Sequence, residues 1–130
     1  MKLGFLVTLF TSALIITQAA AGNDADGRQV RVGDSVYTQH VGCVDKADII
    51  TMNEMIGALS ISSPSAVSDA IKIRKFGEDH CGKLFRGALY RVKLVDEDAH
   101  PYPLACIHTD GMYPECVWTN QIALTHRIIK

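Results

Sequence analysis

The chain has 130 residues, of which 48% are hydrophobic and 21% are charged, and its formal net charge is −1 at pH 7. This length suits one domain with a sizeable core. A nearly neutral chain without a basic stripe has no general attraction to nucleic acid or to anionic membranes, so neither is expected as a partner.

The first 21 residues have the three parts of a secretion signal. Lys2 supplies a positive start, residues 4–17 are uncharged and mostly apolar, and small residues end the segment at Ala21. The apolar run is shorter than the roughly 20 residues of a membrane-spanning helix, so no stable membrane anchor is expected. We predict cleavage after Ala21 and a secreted or periplasmic location. A flexible N-terminus is predicted over 22–28, and a single disulfide-bonded globular domain over 29–130.

The first predicted elements are two short strands. Val30 and Val32 alternate with polar residues, as in a strand with one buried face. Gly33 and Asp34 interrupt the alternation, and Val36 resumes it. The segment is therefore predicted to form a strand, a tight bend or bulge, and a second strand.

A helical segment is predicted over about residues 45–76. Asp45 can cap its first helix, and the apolar residues that follow recur at steps of three and four, which places them on one helix face. Ser65 can cap a second helix that stops near Gly77. The alternating, β-branched residues 71–74 also fit a strand, and helix is favoured there.

The C-terminal half alternates apolar and polar residues in the manner of antiparallel strands. Strands are predicted at residues 90–94, 104–108, 116–119 and 122–129. Asp110 and Gly111 are a strong turn signal between the second and third of these strands. The expected product is a four-strand antiparallel meander.

The four cysteines are expected to form two disulfides in an oxidising compartment, with three pairings open. Cys106 and Cys116 flank the Asp-Gly turn, and one extra residue on the return strand would bring them opposite each other. Cys43 precedes the helical segment and Cys81 follows it. Pairing Cys43 with Cys81 and Cys106 with Cys116 is favoured, and the two crossed pairings stay open.

Metal, cofactor and thiol chemistry are not predicted. His40, His80 and His108 lie near cysteines, but the spacings do not match the paired Cys-x-x-Cys units of familiar zinc sites. Oxidised cysteines also cannot supply thiolate ligands. No cofactor and no metal site are therefore expected.

No catalytic residue is assigned from the sequence. His80 follows Asp79 and His108 is near Asp110. Neighbouring residues in an extended strand point to opposite faces, so this spacing does not establish an acid–base pair. A small secreted hydrolase that uses His80 or His108 as acid or base is the alternative function.

The candidate binding residues are three aromatic side chains on or next to predicted loops, at Tyr102, Tyr113 and Trp118. Trp118 has the same strand parity as Cys116, which favours packing against a disulfide. Aromatic side chains on the loops of a small β domain could instead bind a peptide or glycan.

Two stretches resemble the ends of SH3-like barrels: residues 30–36 (VRVGDSV) and residues 116–124 (CVWTNQIAL). A first strand that contains Gly-Asp and a short turn before the last strand are common in that class. The fold class is therefore predicted as α+β: a small antiparallel β-sheet or SH3-like barrel with a disulfide-stabilised helical insertion over about residues 45–76.

The predicted function is an exported, non-catalytic binding domain for a protein, peptide, glycan or cell-envelope component outside the cytoplasm. An inhibitor or immunity-type protein for an exported hydrolase is one concrete form. This prediction depends on the small size of the chain, its predicted export and its lack of a catalytic motif. The predicted fold adds no support, because a fold alone does not define a function. The sequence does not specify the oligomeric state.

Overall fold

The computed structural model describes residues 22–129, so the predicted signal peptide at 1–21 lies outside the described residues. Within the described part, six antiparallel strands and two helices form an α+β fold. The strands are β1 (Ser35–Val36), β2 (Val41–Cys43), β3 (Cys81–Lys83), β4 (Tyr90–Asp96), β5 (Leu104–His108) and β6 (Val117–Asn120). The helices are α1 (Lys46–Ala58) and α2 (Ala66–His80). Neither of these helices is long and apolar enough to span a bilayer.

The sheet has the order β1-β4-β5-β6-β2-β3 and does not close, so the SH3-like barrel is not confirmed. The predicted last strand at 122–129 is wrong. A 3-10 turn spans Gln121–Ala123, and the chain then makes one isolated bridge, between Thr125 and Tyr37. β1 begins only at Ser35, because the chain turns at Gly33. Within residues 22–129 the edges of the sheet are β1 and β3, and no strand joins them.

Both predicted helices form. α1 begins after Asp45 and α2 after Ser65, although neither side chain makes a capping hydrogen bond. α2 continues past the predicted stop at Gly77, whose carbonyl accepts a hydrogen bond from the backbone N–H of Cys81. The helix therefore leads directly into β3.

The sheet has a hydrophobic cluster on each face, and β5 contributes to both. Ala105 and Ile107 lie on the face covered by the N- and C-terminal segments. Leu104 lies on the face covered by α1. This two-sided burial explains why β5 is apolar along most of its length.

The two disulfides join Cys43 to Cys81 and Cys106 to Cys116, as the favoured pairing predicted. Two disulfides in a small domain are compatible with an extracellular location. The predicted hairpin register was wrong, because Cys106 lies opposite Trp118. The turn signalled by Asp-Gly is only the start of a longer loop between β5 and β6.

Candidate functional site

The three candidate aromatic residues do not form one surface. Tyr113 is 98% exposed and Tyr102 is 41% exposed. Tyr102 precedes β5 and Tyr113 follows it, so a strand about 17 Å long lies between them. They therefore lie at opposite ends of the sheet.

Trp118 has a packing role. It lies opposite Cys43 on one side and Cys106 on the other, and it packs against the cluster beneath α1. Lys46 Nζ lies 5.2 Å from the centre of the Trp118 ring and 2.8 Å from Asp96 Oδ2. A helix residue thus covers this ring, and Tyr113 is the more exposed of the two remaining candidates.

Tyr113 borders a groove of about 370 Å³. The groove is lined by apolar side chains that include Leu84, Val117, Met112 and Pro114. Leu84 and Val117 are each 8% exposed, so they form a fixed floor. The groove therefore combines a rigid apolar base with a freely exposed aromatic at its edge.

Two local features hold the groove in place. The Cys106–Cys116 disulfide anchors the loop that carries Tyr113 to β5. A Cβ built at Gly42 would lie 2.7 Å from Val117 Cγ2, so glycine permits the close packing of β2 on the groove floor.

The polar residues that line the groove include Asp79, His80 and Lys83. His80 is stacked on Phe76, with ring centroids 4.4 Å apart. Its Nδ1 lies 3.9 Å from Asp48 Oδ2, which is too long for a hydrogen bond. The hydrogen-bonded acid–base pair that catalysis by His80 would need is therefore not formed with Asp48.

His108 lies in a separate cleft of about 430 Å³. Ser35, Arg91 and His108 occupy paired positions across β1, β4 and β5, and Lys93 and Asp110 also line the cleft. His108 Nδ1 is buried and has no hydrogen-bond partner within the described residues. Asp110 shares the cleft with His108 but does not make the hydrogen bond to Nδ1 that would orient a general base.

A third histidine, which no sequence motif marked, contacts two carboxylates. His126 Nδ1 lies 2.6 Å from Asp24 Oδ2, and its Nε2 lies 2.9 Å from Asp34 Oδ2. Two carboxylate acceptors favour the doubly protonated imidazolium, which donates from both nitrogens. No ring nitrogen is then free for a substrate proton, so this cluster acts as a clamp between residues 24–34 and the segment that contains His126.

The clamp shifts the pKa of all three groups. Burial acts to lower the pKa of His126, but the hydrogen bonds to Asp34 and Asp24 outweigh it and raise that pKa above its usual range. Burial acts to raise the pKa of Asp24 and Asp34, yet hydrogen bonds from His126 and from backbone N–H groups lower both. All three groups are therefore charged at mildly acidic pH.

Within residues 22–129, no group of three or more His, Cys, Asp or Glu side chains is arranged to hold a metal ion. No protein-family model, curated protein or solved structure matches the chain.

Proposed function

We propose that this protein is an exported binding domain that holds a protein or peptide partner in the groove beside Tyr113. The observation that carries the proposal is the 98% exposure of Tyr113 at the edge of a groove with an apolar floor and polar sides, on a loop tied down by a disulfide. Tyrosine supplies a large contact area at low entropic cost and is enriched among the residues that dominate binding energy.

The composition of the groove supports a polypeptide partner. Leu84 and Val117 offer an apolar floor for one or two side chains, and Asp79 and Lys83 supply charges of both signs. An apolar centre with a polar rim is the usual arrangement of a protein interface. An exported hydrolase, with this chain as its inhibitor or immunity-type protein, is the form of partner we propose.

Comparative affinity capture tests the proposal. Oxidised wild-type protein, Tyr113→Ala and the matched control Tyr102→Ala are immobilised and incubated with the secreted or envelope fraction of the source organism. We expect one stoichiometric protein to be retained by the wild type and by Tyr102→Ala, and to be lost from Tyr113→Ala. Equal retention by all three would contradict binding through the Tyr113 groove.

The second candidate is a small hydrolase that uses His108. Its support is the cleft in which His108 shares a cross-strand row with Ser35 and Arg91. The two functions separate experimentally, because a hydrolase would turn over ester, phosphoester or peptide substrates and would lose that turnover in His108→Ala. A binding domain would show no turnover above that of the His108→Ala variant.

A further inference from the structure

Gly22 occupies a cradle made by Glu97, Pro103 and Gln121. Its backbone N–H donates to Glu97 Oε2 at 2.5 Å, and its carbonyl accepts from Val30 N–H at 3.5 Å. A Cβ built at Gly22 would overlap Gln121 Oε1, and it would lie 2.7 Å from both Glu97 Oε2 and the Cβ of Pro103. The cradle therefore admits glycine and rejects larger residues.

The cradle contains more acceptors than one amide can satisfy. Gln121 Nε2 donates to Glu97 Oε1 at 3.2 Å and to Leu104 O at 2.9 Å. This leaves Gln121 Oε1 buried and without a partner among the described residues, in a side chain that is 1% exposed. Unsatisfied buried acceptors are rare in native proteins, and a backbone amide has only one hydrogen to give.

The charge of Glu97 is also unbalanced within residues 22–129, since none of the described ion pairs includes this carboxylate. A carboxylate beside an unpaired amide oxygen suits a cation with several hydrogens. The nitrogen already placed in the cradle is that of Gly22. An ammonium group at this position would keep one hydrogen for Glu97 Oε2 and carry further hydrogens that an amide lacks.

We propose that the Ala21–Gly22 bond is cut during export and that the new α-ammonium group of Gly22 docks on Glu97 and Gln121. A protease that cleaves after small residues hydrolyses the amide with one water. Ala21 leaves with the carboxylate, and the amine of Gly22 takes up a proton. The ammonium keeps its contact with Glu97 Oε2 and gains a second hydrogen for Gln121 Oε1.

The neighbouring turn supports this docking. Asp24 Oδ1 accepts hydrogen bonds from the backbone N–H groups of Asp26 and Arg28, at 2.9 and 2.7 Å. These hydrogen bonds form a turn next to Gly22 and its contact with Glu97. Signal removal would add an ion pair to the fold, independently of the Tyr113 groove.

The test uses the full-length precursor, exported from a host cell and recovered as the processed product. Intact mass should show a chain that begins at Gly22 and contains both disulfides. An amine-acylating reagent is then applied, and the acylation rate of the α-amine is followed by peptide mass spectrometry. We expect acylation to be about tenfold slower in the wild type than in Glu97→Gln, because a charge-assisted hydrogen bond of this kind protects the amine.

Two further variants make the result decisive. Glu115→Gln removes an exposed carboxylate outside the cradle and should leave the rate unchanged. Gly22→Ala should raise the rate as Glu97→Gln does, with an unchanged circular dichroism spectrum, because its Cβ displaces the terminus. If Glu97→Gln does not fold, the acylation rate of Gly22→Ala tests the docking of the ammonium group instead. A product that begins elsewhere, or equal rates in the wild type and the folded variants, would overturn the proposal.

Discussion

His126 is hydrogen-bonded to Asp24, 102 positions earlier in the chain, with 2.6 Å between Nδ1 and Oδ2. The same ring reaches Asp34 through Nε2. One imidazole therefore ties the C-terminal segment to two points near the start of the described chain. Because the clamp raises the pKa of His126 and lowers the pKa of both aspartates, it makes stability depend on pH.

The clamp should stabilise the protein most between about pH 4 and 6.5. The raised pKa of His126 means that its contribution is complete below its ordinary value of 6.5 and is lost as pH rises through the higher folded-state pKa. The lowered pKa of Asp24 and Asp34 means that their contributions are present above 3.8 and are lost as pH falls through the folded-state pKa.

We therefore expect His126→Phe to lower the free energy of unfolding by about 3 kcal/mol at pH 6, since it leaves carboxylates in the clamp without a partner. The wild type should lose stability as pH rises above 6.5, and His126→Phe should show little of that decline. Urea unfolding across this range measures both effects. The control is His40→Phe, at an exposed histidine, which should keep the decline of the wild type. If the decline survived in His126→Phe but not in His40→Phe, His126 would not be its cause.

Removing the Cys43–Cys81 disulfide should cost more than removing Cys106–Cys116. The two bonds span 38 and 10 positions, and the longer loop restricts the unfolded chain more. Replacing both cysteines of a pair with alanine should give a difference of about 1 kcal/mol on the loop-entropy estimate. Urea unfolding of the two double-alanine proteins measures it. A greater loss from opening the shorter loop would show that native-state packing dominates instead.

Asn53 and Asn120 should behave as one energetic unit. Their side-chain amides donate to each other at 2.6 and 2.9 Å, and Asn53 is 1% exposed, so they join α1 to β6. Asn53→Ala should cost about 2 kcal/mol, because it also leaves the amide of Asn120 unsatisfied. Adding Asn120→Ala should then cost little more.

A double-mutant cycle on unfolding free energies measures this coupling. Thr51→Ala, on the exposed face of α1, is the matched control and should add independently to Asn120→Ala. Strict additivity of the Asn53 and Asn120 substitutions would mean that the paired amides contribute no joint stabilisation.

The same substitution at two glycines should have opposite effects. Gly57 lies within α1 with nothing within 4 Å of a built Cβ, so Gly57→Ala should raise stability by about 1 kcal/mol through helix propensity. Gly111 has a φ of +82°, so Gly111→Ala should lower stability by about 1 kcal/mol through backbone strain. Thermal unfolding gives both signs, and a stabilising Gly111→Ala would show that this loop adopts another conformation.

The sequence pattern correctly predicted those helices and strands that are specified by residues close together in the chain. The helices after Asp45 and Ser65 follow from apolar spacing, and β5 follows from a run that is buried on both faces. The alternation at 122–129 was misleading, because Leu124 is buried in the terminal cluster while Thr125 makes only one bridge. Apolar periodicity reports burial, and burial here does not require a strand.

The candidate site was predictable only in part. Exposure of Tyr113 agrees with its place on a loop, but its separation from Tyr102 depends on the direction of β5. The His126 clamp gave no local signal, because its partners lie about a hundred positions away. Long-range polar pairing of this kind is visible only once the chain is folded.

The most direct test of the proposed function is the dissociation constant of the captured partner, measured by calorimetry with purified proteins. If the Tyr113 groove is the interface, Tyr113→Ala should weaken binding about 30-fold, which corresponds to the loss of one aromatic anchor of about 2 kcal/mol. His108→Ala should leave the constant unchanged. An unchanged constant in Tyr113→Ala together with weakened binding in His108→Ala would contradict the account and place the functional site in the His108 cleft.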